Sequence, residues 1–145
     1  MNNIAENKRA SFDYEIIEKY EAGIELTGQE VKSAKIGRFN LASSYAVPKN
    51  GQLLLVNASI APYQPKNAPD DYQPDRSRRL LLHKAEIKSL YGKLQQKSFS
   101  LVPLRAYTKN GFIKLELGLG KNRKKSDKRE VIKKRDMGRE IKEFS

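Results

Sequence analysis

Three groups of basic residues have the spacing that phosphate neutralisation needs. Asn7-Lys8-Arg9 stands near the N-terminus, and Arg76-Ser77-Arg78-Arg79 closes a proline-rich stretch. Lys121, Arg123, Lys124, Lys125, Lys128 and Arg129 crowd a short segment near the C-terminus. Cations at this density displace counterions from a polyanion, which gives tight binding that is blind to base sequence. Phe12, Tyr63 and Tyr72 lie near these groups and offer rings on which bases could stack. Each group read alone is equally a solvated surface, and Phe12 is equally a core residue.

Other chemistry is poorly supplied. The single histidine, His83, follows Leu80-Leu81-Leu82 at an expected helix start, where a packing or helix-end role suits it better than catalysis. Cysteine is absent, which excludes disulfides and thiolate metal sites, and a lone histidine cannot build an imidazole site. Gly118-Leu119-Gly120 lacks the G-x-x-x-x-G-K pattern of a phosphate loop and reads as a flexible strand exit. The carboxylates are scattered, with no neighbours that suggest an acid/base pair. The expectation is a binding protein with no catalytic residue, no cofactor and no metal.

The elements that must position the basic groups read mostly as β. Asn50-Gly51 separates Tyr45-Ala46-Val47 from Leu53-Leu54-Leu55-Val56, and Asn110-Gly111 separates Leu104–Tyr107 from Phe112–Leu119. Asn-Gly suits the type I′ hairpin turn because both residues tolerate positive φ. Ile113, Leu115, Leu117 and Leu119 alternate with Phe112, Lys114, Glu116 and Gly118, so one strand face is buried and the other mostly wet. Phe12, Tyr14 and Ile16 suggest a further strand, continued by Ile24 and Leu26.

Two helices interrupt the strands. Thr27 and Glu30 form a capping-box pattern, followed by Val31 and Ala34 on one face and a stop at Gly37. A second helix starts near His83, with Ile87, Leu90, Tyr91 and Leu94 forming a core-facing stripe. Ala61–Arg79, with Pro62, Pro65, Pro69 and Pro74, is expected to lack regular structure. These elements fit a mainly β fold: a small antiparallel OB-type β-barrel with added α-helices and a basic C-terminal tail.

Charge divides the chain. The formal net charge of the 145 residues is +12, and half of it falls in Lys121–Ser145, where 11 Lys/Arg face 5 Asp/Glu. Residues 1–120 are therefore expected to form the barrel and 121–145 the tail. Met137, Ile141 and Phe144 would share one side of a helix that Gly138 interrupts, so the tail is expected to be disordered alone and to fold on RNA. No apolar run approaches membrane-spanning length, and Met1–Arg9 has no signal-peptide character. Charge alone leaves nucleic acid and an acidic membrane surface both open as polyanionic partners, and the lack of cysteine fits a reducing cytoplasm.

Six fragments carry a resemblance to a known family. Asn7-Lys8-Arg9-Ala10, Tyr20-Glu21-Ala22-Gly23, Leu26-Thr27-Gly28-Gln29-Glu30-Val31-Lys32-Ser33, Leu80-Leu81-Leu82, Leu101-Val102-Pro103-Leu104 and Asp127-Lys128-Arg129-Glu130 occur in this order. Together they resemble the SmpB family, the tmRNA-binding (SsrA-binding) proteins of bacterial trans-translation. The likeness runs from about Asn7 into the tail.

The resemblance implies a barrel that binds the tRNA-like domain of tmRNA and stands in for a tRNA's anticodon arm. It implies a tail that enters the 16S rRNA decoding centre and the empty mRNA channel of a stalled ribosome, helical once bound there. The nascent chain is then tagged for degradation and the ribosome rescued. Alanyl-tRNA synthetase and elongation factor Tu are implied as indirect partners, through tmRNA, in the cytoplasm and with no membrane partner.

By resemblance, Asn7, Lys8, Glu21, Leu81 and Lys114 face tmRNA, while Lys121, Arg123, Lys124, Asp127, Lys128 and Arg129 serve the tail. Ser126 stands where the family carries an aromatic or histidine, and Phe12 where it carries histidine. Asn122 replaces a usual glycine, which would stiffen a hinge. The alternative is a general single-stranded RNA-binding or ribosomal protein with a basic extension.

Overall fold

The computed structural model describes residues 2–123 and Arg129. In chain order the elements are β1 (Asn2–Glu6), α1 (Ala10–Asp13), β2 (Tyr14–Ile24), α2 (Gly28–Lys35) and β3 (Phe39–Asn40). Then come β4 (Tyr45–Lys49), β5 (Gln52–Val56), β6 (Ser59–Ile60), β7 (Arg78–Leu81), α3 (Lys84–Leu94), β8 (Phe99–Lys109) and β9 (Phe112–Asn122).

Both Asn-Gly pairs make the expected turns. Asn50 and Gly51 have φ of 52° and 76°, and Asn110 and Gly111 have 52° and 81°. Positive φ at both central residues gives the turn a twist that matches the flanking strands. Lys49 consequently pairs with Gln52, and Lys109 with Phe112.

All strand pairings are antiparallel, and the main sheet closes on itself. Its order is β1-β8-β4-β5-β7-β2-β9, with β9 returning to pair with β8. A ring of six strands results, with β1 added to β8. Closure leaves the ring's strands without open edges. The long strands β2, β8 and β9 shift register at Ile16/Glu18 and Pro103/Arg105, bulges that bend strands around a barrel.

Period-2 alternation decides what fills the ring. Ala22, Ile24, Leu53, Leu55, Leu80, Leu101, Ile113, Leu115, Leu117 and Leu119 are buried together. Leu90 of α3 joins this core, with Ile87, Tyr91 and Leu94 packed against it, as the helical stripe requires. The Tyr91 hydroxyl is satisfied by donating to the Gln52 carbonyl at 2.8 Å. At α2 the capping box is complete: Thr27 N donates to Glu30 Oε1 at 2.9 Å, and Glu30 N donates to Thr27 Oγ1 at 3.3 Å.

Four features depart from the sequence expectations. Residues Asn2–Glu6 form a strand although they carry no alternating apolar pattern; backbone pairing with β8 supplies the ladder instead. Phe12 belongs to the short helix α1, so the strand expected from it begins at Tyr14. β9 runs to Asn122, two residues beyond the Gly120 at which charge divides the chain. Asn122 pairs with Tyr14 and donates its N–H to the Ser98 carbonyl at 3.0 Å, so it is ordinary strand rather than hinge.

The fourth concerns Arg76-Ser77-Arg78-Arg79. Arg78 and Arg79 begin β7, with Arg78 turned inward two residues before buried Leu80. Arg78 is 0% exposed and binds Glu30, itself 1% exposed. It also donates to the carbonyls of Ala58, Arg76 and Pro74, and thereby ties the proline-rich loop to the barrel. Arg76 binds the same carboxylate. Of this basic group, Arg78 is thus taken into a buried ion pair and Arg76 leans on the same carboxylate, while Arg79 stays exposed, 3.8 Å from Glu25.

Candidate nucleic-acid interface

The inward alternation has an outward counterpart. On β2, Ala22 and Ile24 point into the core, so Glu21 and Gly23 lie on the outer face. Directly opposed residues of an antiparallel pair share a face. Leu81 of β7 opposes Gly23, and Lys114 of β9 opposes Gly23 from the other side. Tyr107 of β8 in turn opposes Lys114. One lateral row thus runs Leu81, Gly23, Lys114, Tyr107 across four strands. The adjacent row is Glu21, Glu116, Arg105.

Glu21 is held by specific donors. The Tyr107 hydroxyl donates to Oε2, and Lys109 Nζ donates to Oε1 at 3.2 Å. The tyrosine hydrogen bond, then the lysine, keep the Glu21 carboxyl below its ordinary pKa of 4.5. Burial, with the bond to Glu21 next, pushes the Tyr107 hydroxyl up to about 12. Glu21 is therefore a fixed, ionised acceptor at neutral pH. The Arg105 guanidinium lies 4.4 Å from the Tyr107 ring centroid and pairs with Glu116 at 3.6 Å.

Asn7 and Lys8 extend the same face. Asn7 is anchored to β8 by its N–H, which donates to the Leu104 carbonyl at 2.8 Å. Its Nδ2 donates to the Pro103 carbonyl at 3.0 Å. Both residues line a shallow hollow with Lys19, Arg105 and Glu116, and Lys8 is exposed in the turn before α1. The barrel therefore brings Asn7, Lys8, Glu21, Leu81 and Lys114 onto one continuous outer surface, although they are scattered over more than a hundred positions of the sequence.

The tail residues fall differently. Lys121 is exposed in β9, opposite Glu15 and Phe99, with Nζ 5.8 Å from the Phe99 ring centroid. Arg123 donates its N–H to the Asp13 carbonyl at 3.0 Å and its Nε to the Ser11 carbonyl at 3.3 Å. Both begin as part of the folded body. Arg129 is exposed. Lys124, Asp127 and Lys128, like Ser126, lie outside the described residues.

The proposed stacking rings also separate. The Tyr72 hydroxyl donates to the Ile60 carbonyl at 2.8 Å, which makes Tyr72 a structural staple of the loop. Tyr63 has Lys32 Nζ 5.9 Å from its ring centroid, and Phe12 has the Arg9 guanidinium at 5.0 Å. His83 caps α3, its N–H donating to Glu86 Oε1 at 3.2 Å. Among the described residues no group of three or more His, Asp or Glu could hold a metal. No described helix is long and apolar enough to cross a membrane.

Sequence reasoning missed Lys19, Arg105, Tyr107, Lys109 and Phe112 as members of this face. For Phe112 the signal was present: it shares its alternation class with Lys114 and Glu116, and it is 69% exposed. For Tyr107 no sequence signal existed, because its partner Glu21 is 86 residues away.

Both the sequence and the fold have known counterparts. Residues 4–145 match the family model described as SmpB protein. An SsrA-binding protein from Carboxydothermus hydrogenoformans is 52% identical over 138 residues, covering 95% of this chain and 92% of the relative. An SsrA-binding protein from Geobacter metallireducens is 49% identical, covering 95% and 90%. A solved structure described as "tmRNA-SmpB: a journey to the center of the bacterial ribosome" superposes with a TM-score of 0.69 at 44% identity, covering 88% of this chain and 92% of its own.

Proposed function

The chain belongs to the SmpB protein family, and on that premise we propose that it binds tmRNA and serves trans-translation on stalled ribosomes. The observation that carries this reading is the meeting of Asn7, Lys8, Glu21, Leu81 and Lys114 on one outer barrel face. These residue types suit a structured RNA loop. Lysines meet phosphates, Asn7 and Glu21 bond base or sugar groups, and Leu81 packs on an unstacked base. The fixed, ionised Glu21 accepts hydrogen bonds from the RNA without needing reorganisation.

The barrel holds the tRNA-like domain and takes the place of an anticodon arm. Lys121 and Arg123 start the chain toward the tail, in which Lys124, Asp127, Lys128 and Arg129 engage the 16S rRNA decoding centre and the mRNA channel. Alanyl-tRNA synthetase and elongation factor Tu act on the same tmRNA. The protein is an adaptor of the cytoplasm and not an enzyme: its contribution is binding and placement.

The test is a reconstituted translation reaction on an mRNA without a stop codon. With tmRNA and this protein present, tagged product should accumulate. Equal tagging when the protein is omitted would overturn the function.

A further inference from the structure

We infer that the hollow between Leu81 and Phe112 is a socket for one unstacked RNA base, with Phe112 as its stacking platform. The inference rests on the tmRNA-binding reading and adds a residue to it.

The hollow follows from a missing side chain. In the row Leu81, Gly23, Lys114, the middle position carries no Cβ. A Cβ there would sit 3.3 Å from Leu81 Cβ and 3.4 Å from its Cδ1, so the glycine lets the Leu81 side chain lie down against β2, burying Gly23 and forming one wall of the hollow. Phe112, two residues before Lys114, shares its outward side and stands next to the hairpin turn. The space enclosed by Gly23, Leu81, Phe112 and Lys114, with Leu26 and Val31 behind, is about 370 Å³. That is room for a single base.

The chemistry of the walls selects the occupant. Phe112 is 69% exposed and Leu81 45%, the two large apolar side chains that open this hollow to solvent. An exposed phenyl ring beside an exposed leucine is a costly arrangement in water, and it gains most when a flat apolar surface covers both. Lys114 stands at the rim and forms no ion pair among the described residues, whereas Lys109 is already bound to Glu21. The Lys114 charge acts on Glu21 only through space, without a direct ion pair, and so can also meet the phosphate of the nucleotide whose base is inserted. A base offers two π-faces and a phosphate in one residue, which matches a ring, an aliphatic wall and a cation.

The chain contains no tryptophan, so Phe112→Trp places a single fluorescent reporter in the socket. The probe is tRNA-like-domain RNA of tmRNA, with binding followed independently by polarisation of an end label. Indole emission of the Phe112→Trp protein should be quenched, saturating with the polarisation curve recorded on that same protein. The Ile36→Trp protein carries its indole at the C-terminal end of α2, where the parent residue is 56% exposed, and should keep its emission. Phe112→Leu should weaken binding about tenfold, within the range for loss of one base–aromatic stack. RNA that binds without quenching the Phe112→Trp protein, or quenches the Ile36→Trp protein equally, overturns the socket and leaves the tmRNA reading standing. Parent-like affinity of Phe112→Leu does the same. RNA that fails to bind the parent protein overturns both.

Discussion

Arg78 and Glu30 meet in the interior through a single oxygen: Nε and Nη2 of the arginine lie 2.8 and 2.6 Å from Oε2 of the glutamate. Two charges withdrawn from water are costly unless every donor and acceptor is satisfied. Here they are, because Arg76 and the Thr27 N–H occupy Oε1 and three carbonyls take the remaining Arg78 protons. The pair links α2, the proline-rich loop and β7. Glu30→Ala would leave Arg78 buried without its counter-ion. It should lower stability by about 3–5 kcal/mol in urea unfolding, a large share of a small domain's total.

The same carboxylate sets an acid dependence. Burial raises the Glu30 pKa, but the bonds from Arg76, the Thr27 backbone and Arg78 outweigh it and bring it from 4.5 to about 2. A folded-state pKa below the unfolded one gives stability that is complete above the unfolded value and is lost as pH falls through the folded value. Glu30 should therefore contribute fully above about pH 5 and progressively less toward about pH 2. The loss is on the order of 3 kcal/mol. Stability of the parent and Glu30→Gln, measured across this window, should converge as the pH falls.

Much of this architecture was legible in residue order, and the exceptions have physical causes. The Asn-Gly turns, the Ile113–Leu119 alternation, the α2 capping box and the α3 stripe are local patterns, and each forms as expected. Strand β1 and the Arg78–Glu30 pair are not local. β1 forms because β8 offers it backbone partners about a hundred residues away. In the sequence Arg78 looks like a surface cation, because its partner is 48 residues distant. Its place two residues before Leu80 was the available hint that it faces inward. The outer face is legible only in part: the family resemblance points to Asn7, Lys8, Glu21, Leu81 and Lys114, but only the strand register shows that Leu81 and Lys114 flank Gly23.

The second hairpin turn supports the outer face directly. Gly111 has φ of +81°, a conformation that strains any residue with a Cβ. Gly111→Val should lower stability by about 1–2 kcal/mol. It should also displace Phe112, the next residue. Thermal unfolding reads the first effect, and tRNA-like-domain binding the second.

Glu21 and Lys114 should separate into two kinds of RNA contact. Glu21→Ala removes an acceptor fixed by Tyr107 and Lys109 and should weaken tRNA-like-domain binding about tenfold at constant salt. Lys114→Ala should weaken binding and reduce the slope of log affinity against log salt by about 1, as expected for one phosphate contact. Parent-like affinity for Glu21→Ala would remove it from the interface.

The tail can be tested only if the barrel is left whole. Lys121 and Asn122 are ladder residues of β9, and Arg123 is bonded to the Asp13 and Ser11 carbonyls. A truncation at Lys121 would therefore damage the sheet. Removal of residues 124–145 should leave tRNA-like-domain binding largely intact and abolish tagging in reconstituted translation. Normal tagging by this truncated chain would contradict the assigned role of the tail.

Competition binding tests the central claim most directly. Labelled tRNA-like domain of tmRNA is bound to the full chain at moderate salt, and unlabelled tRNA-like domain or an unrelated structured RNA of equal length is added. A specific adaptor predicts displacement by the tRNA-like domain at concentrations far below those the unrelated RNA requires, with the difference persisting as salt rises. Equal displacement by both RNAs, falling together with salt, would show that the basic charge alone does the binding and would contradict the account.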